Sequence, residues 1–157
     1  MDIYQHFEEF IKLLNENKVE YLVIGGYAVT IYSRSKYTKD VDIWINNSLR
    51  NAKKVKKVID DFMMGSFHAT IEDLMNEFNI VQLGYEPGRI DIICGLEGIK
   101  FKEAYKRKNI RITKNGINVS YISLEDLISN KKIAGRPQDL YDIEWINKYG
   151  TRKRKNK

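Results

Sequence analysis

The chain has 157 residues and 18.5 kDa, the size of one domain. A 43% hydrophobic and 11% aromatic content is enough for a packed core, and a single cysteine excludes a disulfide scaffold or a Cys-based zinc site. The net charge is +6, yet the last seven residues, TRKRKNK, carry five of those charges, so the body from 1 to 150 is near neutral.

Residues 3–16 are amphipathic, with Ile3, Phe7, Phe10, Ile11 and Leu14 at helical spacing, and predict a helix. Tyr21–Ile24 is a short apolar run that predicts a strand, with Gly25-Gly26 at its end and a helix over Tyr27–Tyr32. Val41–Ile45 predicts a second strand. Residues 48–62 predict a helix whose Val55, Val58, Ile59 and Phe62 share one face, leaving Lys53, Lys54, Lys56 and Lys57 as a solvated face. A connection over Met63–His68 precedes a short helix, Ile71–Asn76. Strands follow at Ile80–Leu83 and Arg89–Cys94, around the turn Glu86-Pro87-Gly88. Ile110–Thr113 and Ile117–Ile122 flank Lys114-Asn115-Gly116, an Asn-Gly hairpin signal. Ser123–Asp126 has capping-box spacing and opens a helix to Ala134, and Pro137 suits the first turn of a last helix ending near Tyr149. The mixture of one hairpin with interspersed helices predicts an α+β fold, a mixed sheet with helices packed on it. Residues 1–150 read as a single domain and 151–157 as a basic tail, solvated or else bound to phosphate backbone.

No apolar run approaches the roughly 18 residues of a membrane span. The opening MDIYQHFEEF is acidic and lacks a signal-peptide core. With Cys94 alone and two scattered histidines, a reducing, cytoplasmic setting is expected.

Asp40 and Asp42 bracket Val41 and therefore share a strand face, with Val41, Ile43 and Ile45 on the other. Paired carboxylates repel unless a cation lies between them, and clustered oxygens are what Mg²⁺ takes. Asp91, in Arg89-Ile90-Asp91-Ile92, is a third strand carboxylate. If the two strands are neighbours, three carboxylates converge on a site for divalent metal, and at least one of them should have a raised pKa without it. Taken singly, each aspartate also reads as an ordinary strand residue, Asp91 as a partner of Arg89. Gly25-Gly26 allows a tight strand-to-helix turn with backbone N–H groups facing an anion. The spacing is neither a Walker loop nor a dinucleotide fingerprint. Lys132 and Asp139, with Arg136 nearby, fit an inter-helix ion pair. His6 and His68 have no ligand-spaced partner, and Trp44 and Trp145 fit the core.

In order, Ile24-Gly25-Gly26, Thr38-Lys39-Asp40-Val41-Asp42, Arg89-Ile90-Asp91-Ile92 and the segment from Ile122 to Leu140 resemble the small bacterial nucleotidyltransferases of the DNA polymerase β superfamily, a group overlapping the abortive-infection toxin-like (toxin–antitoxin) members. The resemblance spans residues 20–146. It implies that Gly25 and Gly26 hold the triphosphate of an NTP such as ATP. Asp40, Asp42 and Asp91 would bind Mg²⁺ or Mn²⁺, Asp91 acting also as general base, and Lys132 would face the phosphates or acceptor. Gly26 stands where the family often has Ser. Lys36 stands where many relatives have Arg, with Arg34 two residues earlier, so the clamp on the triphosphate is open between them. The expected activity is transfer of a nucleoside monophosphate to a hydroxyl of an RNA, a partner protein or a small molecule. The alternative is a catalytically silent module of the same fold that binds nucleotide, nucleic acid or a partner. The sequence leaves the oligomeric state open.

Overall fold

The computed structural model describes residues 3–35 and 38–150. The basic tail and Lys36 lie outside the described residues. Among the described residues, six strands form one mixed sheet, flanked by seven helices, in the order α1 (Ile3–Glu16), β1 (Tyr21–Ile24), α2 (Gly25–Tyr32), β2 (Asp40–Ile45), α3 (Leu49–Phe62), α4 (Ile71–Met75), β3 (Ile80–Leu83), β4 (Arg89–Ile93), α5 (Phe101–Lys106), β5 (Asn109–Ile112), β6 (Asn118–Tyr121), α6 (Leu124–Ala134) and α7 (Pro137–Tyr149). The sheet order is β3-β4-β2-β1-β6-β5. β2 runs antiparallel to β1 and parallel to β4, and β6 runs parallel to β1. The α+β expectation holds, and the Asn-Gly hairpin is β5–β6.

Alternation along β2 divides its side chains between two layers. Val41, Ile43 and Ile45 are buried on one face, and in the same core the rings of Phe10 in α1 and Phe62 in α3 meet edge-on at 5.0 Å. Trp44 lies on the opposite face with Asp40 and Asp42, and Phe101 of α5 covers it edge-on at 5.1 Å. Helix α5 is absent from the sequence expectation. Its six residues are too few to show a helical period, and its first turn has no side-chain cap. The lysine face of α3 is solvated as expected, with Lys56 and Lys57 paired to Asp60 and Asp61 one turn on. His6 packs edge-on against Phe62. Among the described residues, no helix is long and apolar enough to cross a membrane.

Two polar devices fix the ends of elements in this core. Buried Asn51 accepts from the Glu20 N–H at 2.9 Å and donates to the Glu20 and Asn46 carbonyls at 3.0 and 2.7 Å. It thereby ties the start of β1 to the end of β2. Asn51→Leu leaves those backbone groups without their side-chain partner and should cost about 2–3 kcal/mol, read as a lower urea midpoint at unchanged m-value. At the start of α6 the Ser123 hydroxyl accepts from the Asp126 N–H at 3.1 Å. The return half of the expected capping box is not made there, because Arg107 at the end of α5 takes the Asp126 carboxylate in a two-pronged pair at 2.9 and 3.1 Å.

Candidate active site

Strand β1 passes directly into α2 at Gly25, whose φ is +68°, a backbone conformation open to glycine at little cost. A Cβ on Gly25 would collide with the Asp42 carboxylate, and one on Gly26 would collide with the Thr38 methyl. The glycine pair therefore serves close approach as well as the turn: it seats the N-terminus of α2 against the start of β2.

Parallel pairing of β2 with β4 sets Asp42 opposite Asp91 and Asp40 opposite Arg89. All four side chains consequently emerge on one face. Carboxylate oxygens of Asp40, Asp42 and Asp91 lie within 4.8 Å of one another. In a Mg²⁺ octahedron with bonds of roughly 2.0–2.1 Å, neighbouring ligands are about 2.9 Å apart and opposite ones about 4.2 Å, so side-chain shifts of up to about 2 Å close these oxygens around one ion. Hard, clustered carboxylate oxygens are the donor set that Mg²⁺ or Mn²⁺ takes, and the site fits such an ion.

The electrostatics of the cluster point the same way. Burial, then the charges of Asp40 and Asp91, push the Asp42 carboxyl up to about 7. Lys131 and Arg89 oppose that rise without cancelling it. Asp40 is raised as well, by burial and by Asp91. The expectation of a raised carboxylate is thus met twice. Because the folded Asp42 pKa lies above the ordinary 3.8, the metal-free fold keeps a proton that the unfolded chain has released. This contribution is fully present below about pH 4 and is lost as pH rises through 7. Its loss costs up to about 1.4 kcal/mol per pH unit. Metal-free Asp42→Asn should accordingly gain thermal stability over wild type between pH 4 and 7, with a flat difference above that window.

A cleft of about 840 Å³ opens beside Asp42, and Gly25, Lys131 and Arg136 line it together with Phe78, Ile80 and Leu96. Asp40 and Asp91 are not among its lining residues. Lys132 is exposed and also outside that lining. The inter-helix ion pair expected for Lys132 is made by Lys131 instead. Its ammonium, on a residue 7% exposed, lies 3.3 Å from Asp139 and 3.0 Å from Asp142. The connection Gly135-Arg136 folds α7 back so that these two buried aspartates reach α6. Burial alone would raise the Asp139 carboxyl; hydrogen bonds from Arg136 and the Lys131 charge hold it below its ordinary value. Lys131 was legible in one respect: Leu124, Leu127, Ile128 and Lys131 fall at i, i+3, i+4 and i+7, which puts a lysine on the inward stripe. Arg34, the other clamp candidate, stacks its guanidinium 4.2 Å over Tyr149, and its carbonyl accepts from Trp145 at 3.3 Å. Burial raises the Cys94 thiol to about 11, which makes it a poor nucleophile.

A mixed sheet that gathers three carboxylates beside a glycine-turned helix N-terminus is consistent with the nucleotidyltransferase class. The chain belongs to the family described as "Nucleotidyltransferase of unknown function (DUF6036)", whose model matches residues 2–150. No curated protein matches it.

Proposed function

We propose that the protein transfers a nucleoside monophosphate from an NTP to an acceptor hydroxyl and releases pyrophosphate. The observation that carries this reading is the convergence of Asp40, Asp42 and Asp91 beside Gly25, within a chain of the nucleotidyltransferase family. The resemblance to the DNA polymerase β superfamily supports the same assignment.

Asp40 and Asp42, with Asp91 beside them, are the residues that would hold Mg²⁺ or Mn²⁺. A divalent ion there supplies Lewis-acid stabilisation of charge on the transferring phosphoryl group. Backbone N–H groups at Gly25 and Gly26 face the triphosphate at the start of α2. Lys131, fixed by Asp139 and Asp142, presents positive charge to the same cleft and offsets charge on the departing pyrophosphate. Asp91 takes the proton of the attacking hydroxyl. The apolar lining residues Phe78, Ile80 and Leu96 give a planar base or acceptor apolar surface to lie on. Acceptors of three kinds fit the reading: an RNA end, a partner protein and a small molecule.

Incubation of the protein with each NTP labelled at the α-phosphate, Mg²⁺ and cell lysate tests the proposal. A labelled acceptor that disappears with EDTA is expected. Absence of label from all four nucleotides would contradict it.

A further inference from the structure

Arg89 is built into the carboxylate cluster. It alternates with Asp91 on β4, so both side chains face Asp40 and Asp42. Its Nε donates to Asp91 Oδ1 at 2.7 Å, and its Nη2 donates to Asp91 Oδ2 at 3.0 Å and to Asp40 Oδ2 at 2.9 Å. Nη1 lies 3.4 Å from Glu86 Oε1, which anchors the guanidinium from the preceding turn. Both oxygens of Asp91 are therefore gripped by a fork that matches a carboxylate and stays charged at any physiological pH.

The oxygens that Arg89 occupies limit what else can enter. The three ionised carboxylates carry three negative charges, and the guanidinium already offsets one. Glu86, on the same guanidinium, adds a fourth carboxylate, so the cluster carries three net negative charges and one divalent ion leaves only one. Asp42 has no hydrogen bond from Arg89 among those described and is the member of the trio that lines the cleft. Its carboxylate and the remaining oxygen of Asp40 are the open donors.

We propose that Arg89 is a built-in cation that takes the place of one of the two divalent ions three carboxylates could otherwise hold. The protein alone then binds one ion, between Asp40 and Asp42, while Asp91 is positioned by the guanidinium. This rests on the metal-dependent reading above. Arg89 is a positioning residue, and its signature is a metal count.

Titration with Mn²⁺ alone, followed by calorimetry and by electron paramagnetic resonance of free Mn²⁺, tests the proposal. Wild type should bind one Mn²⁺ per chain, and Asp42→Asn should lose it. Arg89→Gln should bind two, or bind one at least tenfold more tightly. Two ions on wild type, or an Arg89→Gln titration identical to wild type, would overturn the proposal while leaving the metal-dependent reading standing. No saturable Mn²⁺ on either protein would overturn both. If Arg89→Gln does not fold without metal, Arg89→Lys gives up the two-pronged grip and is read the same way: tighter Mn²⁺ binding supports the proposal and unchanged binding overturns it.

Discussion

Asp42→Asn is expected to abolish transfer while leaving the fold intact. The substitution keeps the side-chain shape and removes one negative charge from the trio. Metal stabilisation of the phosphoryl transition state is worth several kcal/mol, and each 1.36 kcal/mol is tenfold, so turnover should fall by roughly three orders of magnitude. In the apo protein the same change removes a carboxyl that burial and its neighbours already push up to about 7. Stability should therefore be equal to wild type or higher at neutral pH. Turnover and melting temperature measured on one preparation separate the two effects. A fall in both would make Asp42 a structural residue, and a retained turnover would remove it from the chemistry.

Lys131→Met should give the largest loss of stability. Asp139 and Asp142 are 1% and 2% exposed and lose the ammonium they share. Asp139 keeps Arg136, and Asp142 keeps the Gln138 amide at 2.9 Å, but two buried carboxylates then face one peripheral guanidinium. Breaking a buried ion pair by removing one partner costs about 3–5 kcal/mol. At this chain length that corresponds to a drop in Tm of roughly 6–20 °C. The triple variant Lys131→Met with Asp139→Asn and Asp142→Asn removes the stranded charges and should recover most of the stability, yet none of the transfer activity. Recovery of activity along with stability would confine Lys131 to the helix pair.

Local pattern carried some of this site in full and some of it not at all. Strand alternation places Asp40 and Asp42 on one face from three consecutive residues, because a period of two leaves no other choice. The Gly25-Gly26 turn is equally local. Asp91 was visible as a polar residue in an apolar strand, but its approach to Asp42 depends on parallel pairing between strands about 50 residues apart, and no local signal encodes that pairing. The same holds for Arg107, which takes the Asp126 carboxylate away from the helix cap that local spacing implies. Lys131 and Lys132 show how little separates the two cases: one residue along a helix turns a side chain by 100°, from the stripe that meets α7 to the solvent. The apolar stripe of α6 distinguishes them, whereas the doublet Lys131-Lys132 read as a motif does not.

The most direct test of the account is the structure of the protein with Mn²⁺ and a non-hydrolysable NTP analogue, using anomalous scattering to locate the metal. The account predicts an anomalous peak against the Asp40 and Asp42 carboxylates, with the triphosphate at the N-terminus of α2 and beside Lys131. A nucleotide bound elsewhere, or a saturated nucleotide with no metal at Asp40 and Asp42, would contradict it.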